Sequence, residues 1–220
     1  PAGLHWEEWI GPMPFRDYHD ELHPLLWRSW WDFGDGSVGD WGCHNLDGPF
    51  WALKLDQSQP TSIEALVQEG GSDERFPLRN VIRWNYPARG NQPPVKVYWY
   101  DGYFDKTDPT KTDDEGNPLR IQNRPPIVAE LEKKYGRDLK AGGTVFVGDK
   151  GIMACGDYGG SPRMIPEEAH RAFKSPAKTL PRVKGTHQQD FLNACKEGYQ
   201  PASNFSYGGP LSEMVLLGCL

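Results

Sequence analysis

Apolar and polar residues alternate in several short segments, and this pattern predicts strands with one buried face. One strand is predicted at Thr61–Gln68, and two more at Val81–Tyr86 and Val95–Tyr100, which a hairpin-length connection separates. Two more are predicted at Thr144–Val147 and Ile152–Cys155, where residues 148–151 form a hairpin turn. Because consecutive strands that follow one another in hairpins pair antiparallel, the chain is expected to build a mainly antiparallel sheet.

A helical period replaces the alternation elsewhere in the chain. One helix is predicted from about Ser37 to Leu55, with a kink or interruption at Gly48-Pro49. Further helices are predicted at Ile127–Tyr135, Pro166–Phe173, Thr186–Gly198 and in the last ten residues. The helix at residues 186–198 has Thr186 as its N-cap and Gly198 as its C-cap, and it carries Phe191, Leu192 and Cys195 on one face.

The remaining segments show neither period. Residues 1–33 read as an irregular, aromatic-rich arm, and Asp105–Pro126 reads as a polar surface loop. The fold class is therefore α+β, an α/β sandwich in which an open, mainly antiparallel sheet has helices on one face. Residues 1–220 form a single domain of this kind, and the bare face of its sheet needs a partner.

Composition narrows the classes of function. The formal net charge of −6 argues against a nucleic-acid partner, and no apolar run is long enough to span a membrane. A soluble protein is expected, in a compartment that the sequence leaves open between cytoplasm and periplasm. The nine tryptophans suit either a core seam or a flat surface for a sugar ring or partner. The four cysteines have no metal-ligand spacing, which favours buried thiols over disulfides or a metal site.

A glycine string at Gly34, Gly36 and Gly39 fits the pattern G-x-G-x-x-G. A dinucleotide-binding loop needs a strong apolar strand before this string and a helix after it. The preceding segment, HPLLWRSWWDF, is bulky and interrupted by polar residues, so the nucleotide loop is the less favoured interpretation. In the favoured interpretation, the glycines allow a tight turn at the start of a helix that contacts the substrate.

That helix places Asp40 and His44 four residues apart and therefore on one face, with Asp47 further along it. Gly42 lies between them and allows another element or a ligand to come close. A carboxylate beside an imidazole can orient the ring and accept hydrogen bonds from sugar hydroxyls. An ordinary surface pair is the alternative that the spacing alone leaves open.

The stretch GDGSVGDWGCHNLD resembles the motif G-x-x-x-D-x-G-x-H-x-x-D in the C-terminal domain of the Gfo/Idh/MocA oxidoreductase family. The strings WIGPMPFRDYH, WRSWWDFG, GDKGIMACGDYGG and PASNFSYGGPLSEMVLLG resemble members of a bacterial subgroup of that family, in the same order. The resemblance implies a dihydrodipicolinate-reductase-like C-terminal domain. It also implies a Rossmann domain that binds NAD or NADP and that this chain lacks, so no cofactor is expected in this chain alone. The chain is further expected to stop before the last elements of its domain.

The resemblance also implies roles for single residues. The catalytic residues are His44, as a general base toward a sugar or cyclitol hydroxyl, and Asp40, which binds a hydroxyl and assists His44. Candidate substrate-binding residues are Trp31, Arg28 and His187. Gly36, Gly42 and Asp47 have structural roles in the motif, Asp47 as a brace. The open sheet face is expected to build a homo-oligomer.

Two other functions are consistent with the same fold and the same candidate residues. One is a sugar eliminase or glycosidase that recycles NAD. The other is an oligomerisation or carbohydrate-binding module without turnover.

Overall fold

The computed structural model describes residues 2–136, 138–139 and 142–220. Its helices are α1 (Trp6–Ile10), α2 (Gly36–Ala52), α3 (Pro126–Tyr135), α4 (Glu167–Ala172), α5 (His187–Glu197) and α6 (Phe205–Leu217). Its strands are β1 (Ser62–Glu69), β2 (Arg79–Tyr86), β3 (Val95–Thr112), β4 (Pro118–Gln122), β5 (Thr144–Gly148), β6 (Gly151–Cys155) and β7 (Arg163–Ile165). Short 3-10 turns lie at Leu26–Ser29, Leu55–Gln57 and Asp157–Gly159.

The strands form two antiparallel sheets, ordered β1-β2-β3-β4 and β5-β6-β7. Antiparallel sheets combined with helices confirm the predicted α+β class. The single predicted sheet is corrected to two, because the β5–β6 hairpin pairs with β7 rather than with the first sheet. Alternating apolar and polar residues indicate that one face of a strand is buried. They do not indicate which other strands it pairs with.

The predicted surface loop at residues 105–126 is also corrected. Strand β3 continues to Thr112 and pairs with β4, with Thr107 opposite Arg120. The turn between them is closed by the Asp113 carboxylate, which accepts the backbone N–H groups of Glu115 and Asn117 at 3.0 and 2.8 Å. Ladder hydrogen bonds come from the backbone, so a polar, exposed segment can form strands without an alternating pattern.

The core lies between one face of the first sheet and helices α2 and α6. The side chain of Trp84 on β2 is fully buried, and its indole N–H donates to the backbone carbonyl of Met214 at 3.1 Å. The N–H of Gly218, four residues further on, donates to the Val215 carbonyl instead, so the indole supplies a donor for a carbonyl at the end of α6. On the other face of this sheet Tyr98 is exposed, and Leu66 is exposed at the bulge of β1 between Ala65 and Val67.

Helices α2 and α6 approach closely at Gly42. A Cβ at this position would lie 2.7 Å from Cγ1 of Val215, a buried and β-branched side chain that cannot turn away. Gly42 therefore serves the helix packing that holds α2 in place, and its open side faces another element rather than a ligand.

Replacing Gly42 by alanine is expected to destabilise the fold by about 1–3 kcal/mol, because the added methyl overpacks the α2–α6 contact. The matched control is Gly208→Ala in α6, where a Cβ would meet nothing within 4 Å. That change is expected to stabilise by about 0.5–1 kcal/mol, the ordinary gain of alanine over glycine in a helix. Urea unfolding of both variants checks the pair, and equal effects would contradict the packing role.

Helix α2 runs through Pro49 without the predicted interruption. Proline has no N–H, so the carbonyl of Asn45 loses its usual partner four residues on. The hydroxyl of Thr144, at the start of β5, donates to this carbonyl at 3.1 Å. A residue of the second sheet thus replaces the missing hydrogen-bond donor of the helix, and the sheet contacts α2 at this point.

The remaining predictions have mixed outcomes. Helix α5 has the predicted caps: Thr186 Oγ1 accepts the N–H of Gln189, and Gly198 is left-handed. Its predicted apolar face is wrong, since Phe191, Leu192 and Cys195 are exposed and the buried residues are Asp190 and Ala194. The Asp190 carboxylate docks the helix by accepting the N–H of Ala202 at 2.8 Å.

Three of the tryptophans, Trp30, Trp84 and Trp99, are buried, whereas Trp31, Trp41 and Trp51 are exposed. All four cysteines are free thiols, but their predicted burial is wrong, because Cys195 is exposed and the other three are half-buried. Partial burial raises the pKa of Cys219 to about 11. None of the helices in the described ranges has the length and apolarity that crossing a bilayer requires.

Candidate functional site

Helix α2 presents one face to the core and the other to solvent. Val38, Leu46 and Phe50 are buried against the sheet, at the spacing of a single helix face. Asp40 and His44 lie on the opposite, exposed side, four residues apart. The packing that fixes the core face therefore also fixes which way these two side chains point.

Asp40 is held by an arginine from the preceding turn. Arg28 Nε donates to Asp40 Oδ1 at 3.0 Å, and the two side chains are 36% and 35% exposed. A second Arg28 nitrogen donates to the Leu25 carbonyl at 3.2 Å, and the guanidinium lies over the Trp27 ring at 4.6 Å. These contacts place a fixed positive and a fixed negative group side by side at the surface.

His44 lies between two aromatic rings. The ring centroid of Trp41 is 5.8 Å away and that of Tyr158 is 4.9 Å away, both in edge-on geometry. Within the described ranges no hydrogen bond is made by either imidazole nitrogen. His44 is thus an exposed imidazole with both nitrogens available to a ligand.

The expected pairing of Asp40 with His44 is replaced by the Arg28–Asp40 pair. The guanidinium is a full positive charge with directed N–H groups, so it is a stronger partner for a carboxylate than a neutral imidazole. Arg28, Asp40 and His44 still share one surface, as the motif suggested, but Asp40 is oriented by Arg28 rather than by His44.

Tyr158 is a neighbour of His44 that the sequence reasoning missed. It stands in the 3-10 turn that follows β6, 114 residues further along the chain. The turn reaches α2 because neither Gly48 nor Gly159 has a side chain, and a Cβ on Gly48 would lie 3.3 Å from Gly159 Cα. The signal was the string GDYGG, in which three glycines surround a tyrosine.

Two predicted substrate residues lie in other surroundings. The Trp31 ring is 3.5 Å from the ring of Phe76, centroid to centroid, and its N–H donates to the Ser72 carbonyl at 3.2 Å. His187 begins α5, and its Nδ1 lies 3.3 Å from the hydroxyl of Ser203. Among the described residues, no hydrogen bond or ring contact connects either of them to His44.

Asp47 joins α2 to α6. Its carboxylate accepts a short hydrogen bond from the hydroxyl of Tyr207. Burial, followed by this hydrogen bond and the charge of Asp47, raises the pKa of Tyr207, so the phenol remains a donor. This contact and the close approach at Gly42 hold the two helices together beneath the exposed face.

The glycine string does not fit a pyrophosphate. A Cβ at Gly34 would lie 2.6 Å from the Arg28 carbonyl oxygen, and one at Gly36 would lie 2.7 Å from the Phe76 ring. The spaces that these glycines leave are thus filled by the chain itself. Asp35, at the N-cap, adds a negative charge where a phosphate would need donors.

The surroundings of the string agree with this misfit. The string follows a 3-10 turn instead of a strand, and the paired strands of the described ranges are antiparallel throughout. No cluster of metal-ligating side chains occurs in these ranges either.

A part of the chain matches the model of a known protein family. Residues 1–88 match a family model described as the oxidoreductase family, C-terminal alpha/beta domain. The matched part contains Arg28, Asp40, Trp41 and His44 and ends after β2, whereas Tyr158 lies outside it. No curated protein matches the chain.

Proposed function

We propose that this chain is the substrate side of an NAD(P)-dependent oxidoreductase, because residues 1–88 match the model of the C-terminal alpha/beta domain of the Gfo/Idh/MocA oxidoreductase family. The proposed substrate is a sugar or cyclitol, and the proposed reaction is oxidation of one of its hydroxyls. The cofactor is proposed to be held by a separate dinucleotide-binding domain, since the glycine string of this chain does not fit it.

The observation that carries this proposal is the exposed His44, whose nitrogens have no partner in the described ranges, beside the Arg28–Asp40 pair. Oxidation of an alcohol requires a base that takes the hydroxyl proton, and an accessible imidazole suits that role near neutral pH. The carboxylate of Asp40 accepts a hydrogen bond from a neighbouring hydroxyl, and Arg28 keeps that carboxylate in place. The nicotinamide supplies the hydride acceptor when it is bound.

The test uses the protein as its native host produces it, incubated with NAD⁺ or NADP⁺ and a panel of hexoses, pentoses and inositols. Polyol-dependent reduction of the nicotinamide supports the proposal. A product formed without net reduction would instead identify the elimination or hydrolysis variant, in which the cofactor is recycled. If no polyol gives either result, the proposed function is wrong.

A calorimetric titration of NAD(H) and NADP(H) into the 220-residue chain tests where the cofactor is held. The misfit of the glycine string predicts no binding to this chain. Micromolar binding would contradict that conclusion and restore Gly34, Gly36 and Gly39 as a nucleotide loop.

Asp40→Asn is expected to weaken polyol binding about tenfold, because a charge-assisted hydrogen bond is replaced by a neutral one. The same change is expected to alter the free energy of unfolding by less than about 1 kcal/mol, since the pair with Arg28 is partly exposed to solvent. Polyol titrations followed by NMR and urea unfolding measure the two effects separately. Loss of stability with unchanged binding would contradict the substrate role of Asp40.

A second candidate function is association through the exposed face of the first sheet. Tyr98 is exposed there, and Leu66 is exposed at the adjoining bulge of β1. Apolar side chains of this kind on an open sheet favour a homo-oligomer, with or without turnover. Sedimentation velocity over a range of concentrations tests this, and a monomer at every concentration would contradict it.

A further inference from the structure

Two exposed rings flank His44, and neither ring is accounted for by the core. Trp41 is 45% exposed and Tyr158 is 65% exposed. Both stand edge-on to the imidazole, from opposite parts of the chain: one from α2 itself and one from the turn after β6. Two exposed aromatic side chains beside an available imidazole offer apolar surface on which a ligand can pack.

The backbone of Tyr158 supports the same conclusion. Its φ and ψ are 60° and 21°, in the left-handed region that residues other than glycine rarely adopt. The turn is held by two backbone hydrogen bonds, from Gly156 N to Gly160 O at 2.9 Å and from Gly160 N to Asp157 O at 3.1 Å. The exposed Tyr158 ring gains little burial energy that could offset the cost of this backbone conformation. Residues in such strained conformations cluster at functional sites.

The polar groups beside the rings indicate the ligand. Arg28 and Asp40 offer a donor and an acceptor that are already oriented, and His44 offers an unpaired nitrogen. A small-molecule site combines apolar, largely aromatic walls with a few fixed polar groups. A six-membered polyol ring has matching chemistry, with C–H groups on one face and hydroxyls around its edge.

We infer that Trp41 and Tyr158 form an aromatic bracket that binds the carbon face of a six-membered cyclic polyol and places one of its hydroxyls at His44. This inference rests on the proposed function and deepens it, because it selects ring-shaped polyols over open-chain ones. It also adds to the site a residue, Tyr158, that lies outside the family match.

The test measures binding of glucose, myo-inositol and open-chain sorbitol to the purified chain by ligand-observed NMR. Tyr158→Leu and Trp41→Leu are each expected to weaken binding of the two cyclic polyols about five- to tenfold, the loss of one aromatic contact. Sorbitol binding is expected to be weak in the parent chain and unchanged in the variants. Tyr158→Phe and Trp41→Phe keep a ring and are expected to retain affinity within about twofold.

The matched controls are Tyr103→Leu and Trp51→Leu, which remove exposed rings elsewhere on the surface. Trp51 lies on the same helix, about 15 Å from Trp41 along its axis. Both controls are expected to bind the cyclic polyols as the parent chain does. Tyr158→Gly removes the ring and the backbone strain together, so it is expected to be at least as stable as the parent while binding as weakly as Tyr158→Leu.

The outcomes separate the bracket from the proposed function. If Asp40→Asn loses affinity for cyclic polyols while both leucine variants bind like their controls, the bracket is wrong and the proposed function stands. If glucose and sorbitol bind equally well, ring selection is wrong. If none of the polyols binds the parent chain, the bracket is overturned together with the proposed substrate class.

Discussion

Turnover falls by about two to four orders of magnitude when His44 is replaced by glutamine, the expected result of removing a general base. Glutamine keeps a polar side chain of similar length at this exposed position, so the polyol can still bind. The loss is therefore expected in kcat, with KM changed little, because proton transfer belongs to the transition state. The measurement is polyol-dependent nicotinamide reduction by the protein as its native host produces it.

The control for this change is His5→Gln, which replaces an exposed histidine that precedes α1. It is expected to leave both kinetic constants unchanged. A His44→Gln protein with the parent kcat would remove His44 from the mechanism. A rise in KM alone would show that His44 binds the substrate without acting as its base.

Trp84→Ala is expected to destabilise the fold by about 3–5 kcal/mol, the range for removing a fully buried aromatic side chain from a core. The side chain is fully buried and closely packed, since a Cβ on Gly218 would collide with its ring, so alanine would leave a cavity. The change also leaves the Met214 carbonyl without its donor at the end of α6. Chemical denaturation followed by circular dichroism gives the value.

Trp84→Phe separates the two contributions. Phenylalanine retains most of the buried ring but lacks the N–H group, so it is expected to cost clearly less than alanine. Because α6 packs against α2, the alanine variant is also expected to loosen the surface that carries His44. A loss below about 1 kcal/mol in Trp84→Ala would contradict the central place of this residue in the core.

Much of the fold follows from local pattern, and the parts that do not follow depend on distant partners. Alternation located β1, β2 and the β5–β6 hairpin, and capping residues located both ends of α5. The passage of α2 through Pro49 could not be predicted, because the hydroxyl that replaces the lost N–H comes from Thr144, 99 positions away. The β3–β4 hairpin escaped detection because its backbone pairing leaves no periodic trace in exposed polar side chains.

In the candidate site, too, some features could be predicted from the local sequence and others depend on distant residues. The spacing of Asp40 and His44 on one helix face was readable from the sequence, and so was the candidacy of Arg28. Which of them would pair could not be read, since that depends on the 3-10 turn bringing a guanidinium to the carboxylate. Tyr158 was hidden for a similar reason, because glycines on two separate elements must meet before its ring can reach His44.

The glycine string at the start of α2 has a consequence for classifying sequences. Gly34 and Gly36 leave room for the Arg28 backbone and the Phe76 ring, so crowding by the chain's own atoms suffices to exclude larger residues there. A motif search that takes G-x-G-x-x-G as evidence of nucleotide binding would classify such a domain as a dinucleotide-binding domain. Asking what fills the volume that each glycine leaves open, phosphate or protein, separates the two classes where letter patterns cannot.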